Sequence, residues 1–299
     1  MSVVVNTPHS HIGHALVQRL LAAGTAVTVI SRDAERGAAL AAQGARLVVG
    51  ALDDAATLTD AFTGADQIFW LTPPNYRPDF MDWAGATAGL AATTAHDQGV
   101  RRVVILSSVG AQNRDTPGHL GPVGALLTVE QTFQAALDNV LVLRPAFFME
   151  NLLRDVPTLL NPGALFTVAA LDVGFPMVAT ADIALRAGDV LLDPTWSGHH
   201  HRGVHGARNV TYQELAGVLS EALGRPIQAI QVSMDQARGG MAAAGMPPFM
   251  VDMFANMYAG FQDGRMAPAE PRDAFSTTPT DINQFARTVL APAFHAAQG

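Results

Sequence analysis

The sequence predicts an α/β fold, a Rossmann-like doubly wound parallel sheet with a small C-terminal α/β cap over its cleft. In the first half of the chain, short apolar runs rich in valine and isoleucine alternate with longer helical stretches, as in repeated βα units. Several helical stretches begin with aspartate, which caps helix N-termini. The alternation weakens after about residue 150. We therefore predict a Rossmann-like domain over 1–150 and a substrate-binding cap over 151–299 that also contributes elements to the main body.

The elements follow from these patterns in chain order. Short, mostly apolar runs of three to five residues predict buried strands: Val3–Val5, Ala26–Ile30, Ala45–Val49, Gln67–Leu71, Arg102–Leu106 and Val140–Leu143. Helical periodicity fills the intervals: Ile12–Ala23, Asp33–Gln43, Asp54–Phe62, Asp79–Gln98 and Gly124–Leu137. Later in the chain we predict a helix over Thr211–Leu223, a strand over Ile227–Val232 and a helix over Pro247–Phe261.

Composition excludes several classes of function. The net charge of −8 argues against a nucleic-acid partner, and no apolar run approaches the roughly 18 residues that span a membrane. The chain has neither cysteine nor lysine, which removes thiolate metal sites, Schiff-base chemistry and Walker-type phosphate binding. The N-terminus lacks the features of a signal peptide, so we expect a cytoplasmic protein.

The turn after the first strand is the most informative segment. It reads Thr7-Pro-His-Ser-His-Ile-Gly13, where a dinucleotide-binding turn carries three glycines for the tight turn, the approach to pyrophosphate and the helix–strand packing. Only Gly13, the packing glycine, is present. A β-branched threonine is strained at positive φ, so we expect a reshaped turn, and Pro8 has no N–H to offer a phosphate.

The whole chain resembles the NmrA-like proteins, a branch of the atypical short-chain dehydrogenase/reductase superfamily. The resemblance rests on segments in the right order: Ile12-Gly-His-Ala-Leu-Val17, Val29-Ile-Ser-Arg-Asp33, Gly99-Val-Arg-Arg-Val-Val-Ile-Leu-Ser-Ser108, Leu143-Arg-Pro-Ala-Phe-Phe-Met-Glu-Asn151 and Tyr212-Gln-Glu-Leu-Ala216. It implies NADPH-dependent reduction of small aromatic, quinone or alkaloid-like molecules, or non-catalytic sensing of the NADP redox state.

Several positions depart from the family pattern. Thr7 and Ser10 replace glycines, and Ala51 stands where the family usually has an aspartate near the adenine. The superfamily's catalytic tyrosine and lysine would fall near Pro122 and Leu126. If NADP binds, the resemblance assigns it to Ser10, Gly13, Arg32 and Thr72, with Arg32 at the 2′-phosphate.

Ligands bind beyond the carboxyl ends of the strands in an open α/β sheet. We therefore look for site residues in the segments that follow the predicted strands. We assign catalysis to His9, Tyr76 and Ser108, because imidazole titrates near neutral pH and the two hydroxyls can donate hydrogen bonds. The alternatives are a histidine that merely plugs the turn, a surface tyrosine and a capping serine. We assign substrate binding to Ser107, Phe147, Glu150, Asn151, Met253 and Met257, although Glu150 and Asn151 also suit a structural role.

Two further patterns favour structural readings. The histidines in His199-His-His-Arg-Gly-Val-His205 lack a nearby acidic partner in sequence, so we expect a solvated loop and no metal. Met253 and Met257 belong to an apolar stripe at helical spacing, which is usually core. Such a stripe also suits a pocket lid or a homodimer face.

Three functions remain open. The missing glycines favour an enzyme without a cofactor, acting by isomerisation, cyclisation or elimination on an apolar, natural-product-like substrate. The second is an NADPH-dependent reductase with an altered phosphate turn. The third is a non-catalytic sensor or binding protein of the NmrA-like type.

Overall fold

The computed structural model describes residues 1–74, 77–113, 121–193 and 195–298. Its strands are β1 Ser2–Val5, β2 Ala26–Ser31, β3 Arg46–Val49, β4 Gln67–Leu71, β5 Arg102–Leu106, β6 Val140–Pro145, β7 Phe147–Phe148, β8 Ala164–Thr167, β9 Phe175–Val178, β10 His199–Val204, β11 Asn209–Val210 and β12 Gln228–Gln231. Its α-helices are α1 His11–Ala22, α2 Ala34–Ala41, α3 Ala55–Phe62, α4 Phe80–Asp97, α5 Pro122–Ala136, α6 Val156–Leu160, α7 Thr180–Leu192, α8 Tyr212–Leu223, α9 Met234–Ala243, α10 Pro248–Gln262, α11 Ile282–Phe285 and α12 Ala291–Ala296.

The chain divides into two compact units. Unit 1 comprises Met1–Ser108, Val123–Arg144 and Ile183–Arg202. Unit 2 comprises Val109–Pro122, Pro145–Asp182 and Gly203–Gly299. Each unit is therefore built from three separate segments of the chain.

The sheet of unit 1 has seven strands in the order β10-β6-β5-β4-β1-β2-β3. The pairs from β6 to β3 are all parallel. This is the order of a dinucleotide-binding sheet, whose direction of winding reverses between β1 and β4. The predicted doubly wound parallel sheet is therefore confirmed, and its strands form because their apolar residues are buried on both faces.

The seventh strand, β10, is one that we predicted as a solvated loop. Hydrogen bonds from Val140 N to the Gly198 carbonyl and from Ala146 N to the Val204 carbonyl run in the same chain direction, so β10 is parallel to β6. Its burial rises from exposed His199 to buried Val204. Histidines are tolerated there because an edge strand leaves one side in water.

Unit 2 contains a three-stranded sheet in the order β11-β9-β7 and a parallel pair, β12 and β8. Its helices pack around a core that includes Met149, Leu159, Leu219, Phe285 and Phe294. The glycine-rich stretch before residue 245 forms α9, because Ser233 and Gln236 make a reciprocal capping box at its start. Among the described residues, no helix is long and apolar enough to cross a membrane.

Candidate functional site

The turn between β1 and α1 keeps its helix packing without the two missing glycines. Ser10 caps α1, since its Oγ accepts the Gly13 N–H at 2.9 Å and donates to the Thr7 carbonyl at 2.9 Å. No described residue other than glycine has a positive φ, so the turn has the reshaped backbone that Thr7 and Ser10 require. A Cβ on Gly13 would overlap the Thr7 carbonyl, which explains why this glycine remains.

The N-terminus of α1 still offers hydrogen-bond donors to an anion. In the described chain, the main-chain N–H groups of His11 and Ile12 have no acceptor, as first-turn groups lack one within the helix. The first turn contains no acidic residue. Free N–H groups and the positive end of the helix dipole together favour a phosphate.

The Asn6 side chain joins the ends of the two central strands, β1 and β4, where the winding reverses. Its side chain is only 3% exposed, and its amide bonds both the Leu71 carbonyl at 3.0 Å and the Leu71 N–H at 2.9 Å. Beyond Asn6 and Leu71, Thr7 and Thr72 each have a buried hydroxyl with no hydrogen-bond partner. An unpaired buried hydroxyl costs about 1–3 kcal/mol, so these two groups are suited to receive a ligand's polar atoms.

Several basic side chains lie near the end of β2. His9 Nε2 lies 2.8 Å from Ser31 Oγ, and Arg32 and Arg36 are exposed. No ion pair joins either arginine to a described carboxylate. Burial, then the charge of Arg36, lowers the pKa of His9, against a smaller opposite effect of Asp33. The carboxylate of Asp33 caps α2 by accepting the Arg36 N–H at 3.0 Å.

The end of β3 lacks the acidic group expected beside the adenine. Ala51 is partly buried, and the nearby Asp53 accepts a hydrogen bond from Trp83 Nε1 at 3.2 Å. A Cβ on Gly50 would overlap the Thr57 side chain. Gly50 therefore serves the packing of α3 on β3.

Ser107, at the end of β5, belongs to a buried polar network that we did not predict. Its hydroxyl donates to Glu130, which also pairs with Arg144 through bonds of 3.1 and 2.6 Å. His201 Nε2 lies 3.7 Å from the same carboxylate. Burial alone would raise the pKa of Glu130, but the nearby His201 and the hydrogen bonds from Arg144 and Ser107 lower it overall. Glu130 is thus ionised and joins α5 to the ends of β5 and β6. The Ser107 hydroxyl is already hydrogen-bonded to it.

Two of the three residues that we assigned to catalysis, His9 and Ser108, lie at the ends of different strands. His9 is bonded to the end of β2, whereas Ser108 follows β5. Because β1 and β4 lie between those strands, their ends are about 14 Å apart at the usual strand spacing. Ser108 is half-buried. Tyr76 lies outside the described residues.

The predicted substrate-binding residues of unit 2 have mixed environments. Glu150 accepts hydrogen bonds from Thr180 N at 2.9 Å and Thr180 Oγ1 at 2.5 Å, so it caps α7. Asn151 accepts a hydrogen bond from Arg154. Met253 and Met257 are half-buried on α10.

Phe147 belongs to a cluster of partly exposed rings. Its ring meets Phe175 and Phe261 edge to face, with centroids 6.0 and 6.1 Å apart. Tyr212 lies 4.7 Å from Phe175. None of the four rings is fully buried. We call Phe147, Phe175, Tyr212 and Phe261 the aromatic cluster.

Asp155, beside this cluster, is a site candidate that sequence analysis missed. Desolvation raises its pKa to about 6, despite the opposing charge of Arg154. Burial raises the pKa of the Tyr212 hydroxyl against a hydrogen bond with Thr167, and the nearby Tyr258 and Asp155 add smaller effects in the same direction as burial. Asp155 stands at the start of α6 without making a side-chain cap. In the sequence, its position in an apolar stretch before Val156-Pro157 was the available signal.

Comparisons with known proteins agree with the geometry of unit 1. Residues 9–146 match the NAD(P)H-binding family. The chain is 29% identical over 250 residues to the NAD(P)H azoreductase of Xenophilus azovorans, covering 83% of each chain. Its fold resembles the Citrobacter sp. triphenylmethane reductase complexed with NADP(H), with a TM-score of 0.82 and 21% identity over 97% of this chain and 100% of that one. It also resembles NmrA, a negative transcriptional regulator in complex with NADP, with a TM-score of 0.79 and 16% identity over 100% of this chain and 97% of that one.

The relatives matched by sequence are reductases and dehydrogenases. They favour the oxidoreductase alternative over isomerisation, cyclisation or elimination, and they do not support the expectation that no cofactor is used. The missing glycines were therefore weighted too heavily, because helix-end N–H groups and arginines can hold phosphate without them. By its motifs the chain resembles the NmrA-like proteins, and its residues 9–146 match the NAD(P)H-binding family.

Proposed function

We propose that the protein is an NADPH-dependent reductase of apolar aromatic molecules such as azo compounds or quinones. The observation that carries this proposal is the series of unsatisfied polar groups along the strand ends of unit 1. The groups are the basic residues after β2, the free N–H groups of α1, and the hydroxyls of Thr7 and Thr72. They follow the order in which a dinucleotide crosses such a sheet.

The residues present fit NADPH. The N–H groups of His11 and Ile12 would hold the pyrophosphate. Arg32 and Arg36 would hold the 2′-phosphate, since arginine binds phosphate through several donors at once. An acidic residue that hydrogen-bonds the ribose 2′-hydroxyl favours NAD instead, and Asp33 is already engaged as the cap of α2. When bound, NADPH supplies a hydride.

Recognition of the substrate is assigned to the aromatic cluster in unit 2. Partly exposed rings in edge-to-face contact suit a flat aromatic ligand, because aromatic pairs of this kind add about 0.5–1.5 kcal/mol beyond the area they bury. The names of the azoreductase and of the triphenylmethane reductase point to the same class of substrate.

Reduction also requires a proton, and Asp155 is the group best suited to deliver it. A general acid works best when its pKa lies near the working pH, and burial raises the pKa of Asp155 to about 6. Within the aromatic cluster, Tyr212 is the residue whose hydroxyl is affected by the charge of Asp155.

The proposal is tested by calorimetric titration with NADPH, followed by assays of NADPH consumption with a quinone, an azo dye and a triphenylmethane dye. We expect a dissociation constant of ~1–100 µM and turnover of at least one dye. An Arg32→Ala, Arg36→Ala double variant should lose NADPH affinity, whereas Arg238→Ala, in α9, should keep it. Failure to bind NADPH would overturn the proposal. Binding without turnover of any of these acceptors would instead favour a redox sensor.

A further inference from the structure

We propose that His9 is a ligand of the NADPH 2′-phosphate and takes up a proton from solvent at Nδ1 when the cofactor binds, so that the preference for NADPH over NADH falls as the pH rises. This inference rests on the proposed function, because it concerns the same cofactor. It adds a titrating group to a recognition site that would otherwise depend only on permanently charged arginines.

Hydrogen bonds at the end of β2 fix the tautomer of neutral His9. The Ser31 hydroxyl donates its proton to the Asp33 carbonyl at 2.8 Å and accepts the Asp33 N–H at 3.2 Å. A hydroxyl has one proton to donate, so Ser31 Oγ must accept at its 2.8 Å contact with His9 Nε2. Nε2 therefore carries the hydrogen. Nδ1 has no partner in the described chain, and it is the atom that can gain a proton.

The surroundings of His9 lack an available counter-charge. His14 on α1 and Arg36 on α2 are its cationic or titratable neighbours, and Asp33 is the acidic one. Asp33 is held as the cap of α2. Arg36 lies in the first turn of α2, where the helix dipole disfavours a cation. An added anion would relieve the repulsion among these groups and favour a positive imidazole.

The 2′-phosphate is such an anion, and NADH does not have it. Without phosphate, burial and Arg36 lower the pKa of His9, so the ring is neutral at neutral pH. A phosphate monoester carries close to two negative charges at neutral pH and would stabilise the protonated ring. The phosphate also titrates, with a second pKa near 6, so its own protons must be separated from those of His9 in any test.

The test compares wild type with His9→Gln. Glutamine can replace the Nε2 donor to Ser31 but cannot titrate. Calorimetry with NADPH and NADH between pH 6.5 and pH 8.5, in buffers of different ionisation enthalpy, yields affinities and the number of protons exchanged. Above about pH 7 the phosphate is already a dianion in both proteins, so the difference in proton uptake there reports on His9. His14→Gln, on the exposed face of α1, is the matched control.

For the wild type we expect the ratio of NADPH to NADH affinity to fall about 10-fold over this range. The wild type should also take up about half a proton or more per NADPH beyond His9→Gln near pH 7. His14→Gln should behave as the wild type does. Equal proton counts and equal pH dependence in wild type and His9→Gln, with NADPH still bound, would overturn this inference and leave the proposed function intact. If NADPH does not bind at all, both are overturned.

Discussion

Arg32 follows the last residue of β2 and is an exposed arginine with no described ion-pair partner. Such a side chain contributes little to the stability of the fold, so its substitution tests ligand binding with little interference from folding.

We predict that Arg32→Ala weakens NADPH binding by about 10-fold and leaves NADH binding within twofold, because only NADPH carries the 2′-phosphate. Fluorescence titration of both cofactors measures this. Arg287→Ala, in an exposed pair with Glu221, is the control. An equal loss of affinity for NADPH and NADH would place Arg32 away from the 2′-phosphate.

Burial of the Asp155 carboxylate costs folding stability when the group is ionised, and the same burial brings its pKa close to the range suited to a general acid. Its folded pKa of about 6 lies above the ordinary value of 3.8. The stability it contributes is therefore present below pH 3.8 and is lost as the pH rises through about 6.

We predict that Asp155→Asn is more stable than the wild type above pH 6, by up to about 3 kcal/mol, and matches it near pH 4. Its turnover should fall at least 10-fold. Urea denaturation at both pH values and steady-state kinetics measure the two effects. Asp172→Asn, an exposed position, should change neither. A variant that gained stability but kept full turnover would remove Asp155 from catalysis.

At the scale of single elements, α1 depends on one close approach to the chain that precedes it. Gly13 lets the helix begin directly against the Thr7 carbonyl. Gly89, in the middle of α4, has open space where a Cβ would be.

These two glycines should respond oppositely to alanine. We predict that Gly13→Ala destabilises the protein by about 2–4 kcal/mol, because the overlap is with backbone that has little freedom to move. Gly89→Ala should stabilise it by up to about 1 kcal/mol, as alanine is the better helix former. Thermal and urea unfolding of the pair measure the difference. A Gly13→Ala variant of wild-type stability would mean that the turn can shift.

Strands β5 and β6 and helix α5 are linked by the Glu130 network. Glu130 is only 1% exposed, and Arg144 is also buried. Removing the Glu130 carboxylate takes away the ion pair and two hydrogen bonds of the buried Arg144 guanidinium.

We predict that Glu130→Gln lowers the free energy of unfolding by about 3–5 kcal/mol. Asp60→Asn breaks an exposed pair with Arg46 and should cost less than about 1 kcal/mol. Urea unfolding at neutral pH compares them. Equal effects of the two substitutions would contradict the bracing role of Glu130.

An element could be predicted from the sequence when its own residues indicated that it is buried. Strands β1 to β6 were predicted from their apolar runs, which are largely buried in all of them except the edge strand β3. β10 was missed because its first residues are histidines and only its end is buried. Glu130 could not be singled out, because a buried glutamate on α5 looks like an exposed one until β6 supplies Arg144. The free N–H groups of His11 and Ile12 were not singled out either. Almost every residue has a main-chain N–H, so the residue type does not indicate which of these groups lacks an acceptor.

For the whole molecule, the proposed cofactor should act as a stabilising ligand. A ligand that binds only the folded state adds about 2.7 kcal/mol when its free concentration is 100 times its dissociation constant.

We predict that the midpoint of thermal unfolding rises with NADPH concentration, and rises less with the same concentration of NADH. Differential scanning fluorimetry over a concentration series measures this. In the Arg32→Ala variant the NADPH curve should approach the NADH curve. A midpoint that did not move at saturating NADPH would contradict cofactor binding in unit 1.

The amide of Asn6 has a consequence for how unit 1 meets any ligand. By occupying both main-chain groups of Leu71, it ends the hydrogen-bond ladder between β1 and β4 without leaving a polar group unpaired. Beyond this point the described main chains of β1 and β4 make no hydrogen bond to each other. A ligand that binds at the ends of β1 and β4 therefore breaks no main-chain hydrogen bond between them. The free energy of its contacts there is not reduced by the cost of rearranging the strands.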